Sequence, residues 1–221
     1  MSRAQFMNDQ YFEEYINSQK QRIVKFSKVL ESLAPTNQKK IVQCKVYLVE
    51  FNKNLLSAEY SAGRNKEQIK RTFMEYLKLL KDVPISSYAE MVDGLALAIL
   101  FDCTESDIPA ILNEMKFDDA LTRKMKDYIR SGAYSTYKAS LEYESHYQVF
   151  DEYLNGELDL KKFLTYMESG WYNSCADFAF FETHKKTENI YTGYWCWLAA
   201  AVLKMNAVTK VVSSYIPVEL L

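Results

Sequence analysis

Apolar residues recur at three- and four-residue spacing along the first part of the chain. Phe12, Ile16, Ile23, Phe26, Leu30 and Leu33 form one stripe, and Ile41, Cys44, Leu48, Phe51, Leu55, Ala58 and Ala62 form a second beyond Pro35. That spacing is the turn of an α-helix and is incompatible with a strand, whose faces alternate at every second residue. Asn8 or Asp9 can cap the first run, Pro35 ends it, Thr36 can cap the second, and Gly63 supplies a left-handed stop. Two long antiparallel helices joined by a tight turn follow. Only 6 Gly and 4 Pro in 221 residues leave little material for a β-sandwich or a Gly-rich phosphate cradle.

The same period continues. Ile69, Phe73, Tyr76, Leu77 and Leu80 predict a third helix over residues 66–83, closed by Pro84. Ser87 to Glu90 looks like a capping box for a fourth, whose LALAIL stretch is apolar nearly all round and so belongs at the centre of a packed layer. TESD at 104–107 can cap a fifth, with Ile108, Ile111, Leu112 and Met115 inward. The pattern is interrupted over 117–120 and resumes with Leu121, Met125, Tyr128 and Ile129, which suggests domains of 1–120 and 121–221. Further helices are expected over 136–154 and 158–168, then a break at Gly170, then a central helix over 191–205. The expectation is an all-α fold, a helical bundle or array in two adjoining helical subdomains.

Charge and cysteine usage narrow the function. A net charge of −2 lacks the positive field of a nucleic-acid binder. The widely spaced Cys44, Cys103, Cys175 and Cys196 form no C-x-x-C pair, which fits reduced thiols in a cytosol. The acidic start has neither a signal-peptide core nor a basic transit pattern. The longest uncharged run, Asn189 to Leu203, is 15 residues, short of the roughly 18 to 20 that span a bilayer. A soluble, cytoplasmic protein that binds neither nucleic acid nor membrane is expected.

Chemistry-bearing motifs are sparse. His146 and His184 have no metal-ligand spacing, and no phosphate-loop, dinucleotide or nucleophile-elbow pattern is present, so neither metal nor cofactor is expected. Cys175 and His184 could form a nucleophile and base only if a turn joined them; an inert buried thiol is the ordinary alternative. The aromatic cluster Trp171, Tyr172, Tyr191, Tyr194, Trp195 and Trp197 is either a bulky core or a source of binding anchors. The residues from Glu142 to Asp159 hold six acids, Glu142, Glu144, Asp151, Glu152, Glu157 and Asp159, with no Lys or Arg. A second window, 102–119, holds Asp102, Glu105, Asp107, Glu114, Asp118 and Asp119 against Lys116 alone. Each window is either a solvated helix face or a surface that docks on a basic protein. In the second case, replacing Asp151 and Glu152 with Lys should slow association.

The stretch SGWYNSCADFAFFETHKKTENIYTGYWCWLAAAVLKM resembles the C-terminal domain of the PoNi-type bacterial immunity proteins, through Trp171, His184, Lys185, Tyr191, Gly193, Tyr194 and Trp195. Tyr11, Phe12, the AEYSAG segment at 58–63 and the LALAIL helix resemble the companion N-terminal domain. The resemblance implies a non-enzymatic antitoxin that binds a PoNe-type DNase toxin delivered by type VI or other antagonism systems. It leaves the oligomeric state open, a homodimer included. An acidic face could occupy the basic cleft of such a nuclease. The carboxylates expected to make that contact are Glu142, Glu144, Asp151, Glu152, Glu157 and Asp159, with Asp177 and Glu182 added. His184, Lys185 and the Tyr191–Trp195 motif are expected to be architectural, Gly193 for close backbone approach and the aromatics for packing. A helical adaptor using the same acidic surface is the alternative.

Overall fold

The computed structural model describes residues 2–114, 116–137 and 140–221, without the side chain of Glu144. Met115, expected in the core, and the Glu144 carboxylate therefore lie outside the described residues. Among the described residues there is no strand, and the fold is all-α. Contacts group the chain into two compact units, one of residues 1–84 with 182–193, the other of 85–181 with 194–221. The interruption at 117–120 thus falls inside the second unit, while a short segment from the C-terminal half is part of the first.

The first unit is built on α1 (Asp9–Ser32), α2 (Gln38–Ser61) and α3 (Lys66–Leu80). Asn8 caps α1 through the Tyr11 amide and Asn65 caps α3 through that of Gln68. Each side-chain oxygen thereby satisfies a backbone donor that the first helical turn leaves over. Thr36 does not act as a cap; α2 starts after Asn37, which makes no side-chain cap bond. α1 packs against α2 and α2 against α3. Phe12, Ile16, Leu55, Leu56, Ile69 and Phe73 are buried in this unit. Glu59 is buried among them, accepting hydrogen bonds from Thr72 Oγ1 at 2.6 Å and Gln68 Nε2 at 3.3 Å, with Lys20 Nζ 3.7 Å away. Those donors offset the cost of taking a carboxylate out of water.

The second unit centres on α4 (Tyr88–Leu100), which is buried along almost its whole length as its all-round apolar sequence requires. α10 (Trp197–Met205) packs along it. Around this pair lie α5 (Pro109–Leu112), α6 (Ala120–Ser131), α7 (Glu144–Leu154), α8 (Leu160–Tyr166) and the single turn α9 (Tyr172–Ser174). Ser87 caps α4, and Asp119 with Thr122 forms a capping box on α6. A side chain added at Gly94 would come within 2.9 Å of Ile111 Cδ1, so the glycine lets α5 approach α4.

Three local expectations are corrected. The helix expected from 136 begins only at Glu144. Gly170 does not break the chain: a π-helical turn, Met167–Trp171, carries α8 into α9, and the missing Cβ makes room for the Tyr166 ring. The helix expected from 191 begins at Trp197, because Gly193 has φ of 103° and the Cys196 amide donates to the Tyr215 carbonyl instead of to a helical turn. Left-handed backbone at Gly193 excludes helix there and accounts for the glycine.

Candidate functional site

The carboxylates of the 142–159 window take different roles. Asp151 faces inward: its Oδ1 lies 2.5 Å from Lys124 Nζ, whose side chain is wholly buried on α6, and Asn155 Oδ1 accepts from the same ammonium at 2.6 Å. Asp151 is thus engaged in an internal ion pair. Asp159 caps α8 by accepting from the Lys162 amide at 2.8 Å, yet remains exposed, and Glu152 accepts from Gln148 Nε2 at 2.7 Å. Glu142 and Glu157 are exposed. Asp177 reaches the α7 side of the same unit, with its Oδ1 3.0 Å from His146 Nε2. The hydrogen bond from His146 holds the Asp177 carboxyl below the usual carboxylate range. Glu182 belongs to the first unit and accepts from Lys185 Nζ at 2.5 Å.

The 102–119 window is answered by nearby cations. Asp102 pairs with Lys204 at 2.6 Å, Asp118 with Arg123 at 3.0 Å and Lys126 at 3.4 Å, and Glu105 lies 3.9 Å from Arg130. Asp119 is buried, capping α6 while accepting from the Tyr88 hydroxyl at 2.6 Å and the Glu142 amide at 3.0 Å. Burial and this carboxylate push the Tyr88 hydroxyl well above the ordinary tyrosine range, so it keeps its proton and donates it to Asp119.

Beside α7 the second unit opens a cleft of about 230 Å³ lined by Tyr88, Tyr143, His146, Tyr147, Asp177 and Phe178, with Ser87 and Ala89. The Tyr88 ring centroid lies 5.0 Å from that of Tyr143 and 4.9 Å from that of Tyr147, and His146 meets Phe178 edge to face at 5.0 Å. His146 is held at both nitrogens, Nδ1 by Ser145 Oγ at 3.0 Å and Nε2 by Asp177. Sequence reasoning missed this cleft. Its one signal in the sequence is Tyr143, His146 and Tyr147 at three- and four-residue spacing within the helix expected over 136–154.

The resemblance residues of the C-terminal half divide between the units. In the first, His184 stacks on Phe6 at 4.0 Å, Tyr191 is buried with its carbonyl accepting from the Tyr11 hydroxyl at 2.9 Å, and Ser61 Oγ donates to the Thr192 carbonyl at 2.5 Å. Arg3 reaches the Tyr60 and Arg64 carbonyls at 2.8 and 3.0 Å and lies over the Tyr60 ring. Tyr11, AEYSAG and the His184–Tyr191 segment, far apart in sequence, thus make one tie within that unit. In the second, Trp171, Tyr194 and Trp197 are buried, whereas Trp195 is half-buried. Lys185 is exposed.

Cys175 is buried, and burial pushes its thiol up to about 12, the opposite of what a nucleophile requires. His184, its imagined base, is engaged with Phe6 in the other unit. Among the described residues no three His, Cys, Asp or Glu side chains are grouped to hold a metal ion, and no helix is long and apolar enough to cross a membrane.

The described residues form an all-α protein whose second unit carries exposed carboxylates and a small aromatic cleft. The family model described as PoNe immunity protein (PoNi), N-terminal, matches residues 3–113, and that described as PoNe immunity proteins (PoNi), C-terminal, matches 117–212. The chain belongs to the PoNe immunity protein family, and membership points to a toxin-neutralising immunity role with a toxin as partner. No curated protein and no solved structure matches it.

Proposed function

We propose that this chain neutralises a DNase toxin in the cytoplasm by occupying its DNA-binding cleft with the carboxylate surface around α7. The toxin is one delivered between bacteria by a type VI or comparable antagonism system, and the chain itself performs no catalysis. The observation that carries this reading is the local disposition of charge. Residues 142–159 contain no Lys or Arg and leave Glu142 and Glu157 exposed, with Asp177 close to α7; Asp159 is exposed too, with Lys162 Nζ 3.7 Å from its carboxylate. On the adjoining α6, Lys124 is wholly buried and Lys126 only 4% exposed, while Arg123 and Arg130, each 43% exposed, face Asp118 and Glu105. A nuclease must present a basic cleft to phosphates, and carboxylates can fill such a cleft without offering a bond to cut.

Asp151 and Glu144 are not needed for this surface: the first is spent on Lys124, and nothing in the reading depends on the second. The test is co-expression with a candidate PoNe-type DNase toxin, scoring survival and co-purification. Rescue together with a stable complex that competes with DNA is the expected result. Rescue by a complex that still binds DNA would replace occlusion by locking of an inactive nuclease, and failure to rescue would remove the DNase reading.

A further inference from the structure

We infer that the cleft between the start of α4 and α7 receives one arginine side chain of the toxin, an inference that rests on the function proposed above. At about 230 Å³ the cleft is smaller than the roughly 300 to 1,000 Å³ usual for small-molecule and cofactor sites, and it suits a single inserted side chain. Its walls are aromatic, from Tyr88, Tyr143, Tyr147 and Phe178, while its lining includes the Asp177 carboxylate and no Lys or Arg. Tyr143 is 46% exposed although its neighbours Tyr88 and Tyr147 are buried, so its ring is open to a partner.

Those features select the occupant. A guanidinium stacks on aromatic faces and pairs in plane with a carboxylate, so one arginine satisfies both the walls and the rim. An aliphatic or aromatic anchor would cover Asp177, which is 67% exposed, and strip its water without replacing the lost hydrogen bonds. A lysine could meet the carboxylate but would stack less well. His146, fixed by Ser145 on one nitrogen and Asp177 on the other, is a positioning residue that orients the carboxylate at the mouth. The toxin arginine taken up here is one withdrawn from contact with DNA phosphates, which links the cleft to inhibition.

Two experiments test this. In the first, the full chain is titrated with Nα-acetyl-arginine amide and, separately, Nα-acetyl-norleucine amide, following side-chain NMR signals of Tyr143 and His146. Saturable shifts with the arginine probe alone are expected; no shift, or equal shifts with norleucine, overturns the assignment whether or not a toxin complex is ever obtained. In the second, toxin affinity is measured for Tyr143→Ala, Tyr143→Phe and Asp177→Asn, each checked for an unchanged melting transition. Tyr143→Ala and Asp177→Asn should each weaken binding at least tenfold, mainly through faster dissociation, with Tyr143→Phe near wild type. Wild-type affinity in both of the first two variants would sink the cleft assignment while leaving toxin binding itself intact.

Discussion

Replacing Asp151 with Ala should destabilise the protein strongly without changing how fast it finds its toxin. Lys124 is completely inaccessible to water, and its ammonium has two oxygen partners, Asp151 Oδ1 at 2.5 Å and Asn155 Oδ1 at 2.6 Å. Removing the carboxylate leaves a buried positive charge with one neutral partner, and breaking a buried pair from one side costs about 3 to 5 kcal/mol. Asp151 itself is 14% exposed, so water can reach part of the vacated space, and the lower end of that range, about 3 kcal/mol, is expected. The opposite truncation is milder: Lys124→Met fills the same channel with an apolar chain, and the remaining Asp151 still accepts from Asn155 Nδ2 at 3.1 Å while touching solvent. Urea unfolding measures both. Asp151→Ala should lower the midpoint with an unchanged slope, and Lys124→Met should lose less. A loss below about 1 kcal/mol for Asp151→Ala, or a larger loss for Lys124→Met, would refute the argument from one-sided burial.

Gly193→Ala should cost about 1 to 3 kcal/mol in thermal melts, since φ of 103° lies where L-residues are strained; a neutral substitution would mean the backbone there relaxes freely. Trp197→Ala, a buried indole on α10, should cost about 3 to 5 kcal/mol, and Trp195→Ala less because Trp195 is half-buried; equal losses would contradict the assignment. Partial burial and then Lys185 hold His184 below its ordinary histidine value, so the folded state binds fewer protons than the unfolded one. Its contribution is therefore full above about pH 6.5 and is lost as pH falls through 6.5 toward the folded value. Melts from pH 7.5 to 5 should show this loss in the wild type and its absence in His184→Phe, which keeps the stack on Phe6.

Helical period alone was enough to place α1 to α4, because amphipathic stripes and caps such as Asn8 and Ser87 are local properties of the chain. Locality also explains the failures. The start of α10 depends on Cys196 donating to Tyr215, a partner nineteen positions away, and on a left-handed Gly193 that an apolar count does not register. At Gly170, a glycine that admits the Tyr166 ring looks in sequence like one that ends a helix. The same limit applies to the site. Acid content is visible in the sequence, but which carboxylate turns inward is decided by Lys124 on another helix, so Asp151 looks in sequence like its exposed neighbours. Asp177 and His146 are 31 positions apart, and only tertiary structure makes them neighbours.

In the proposed mode of inhibition, exposed carboxylates near α7 steer the chain onto a basic nuclease. The decisive measurement is stopped-flow association with a toxin that the chain neutralises, run across a range of salt for the wild type and the double variant Glu142→Lys/Glu157→Lys. Both side chains are exposed, so the fold should tolerate the change. The variant should associate more slowly at low salt and show a shallower salt dependence, with the two proteins converging at high ionic strength. Identical rates at every salt concentration would contradict it.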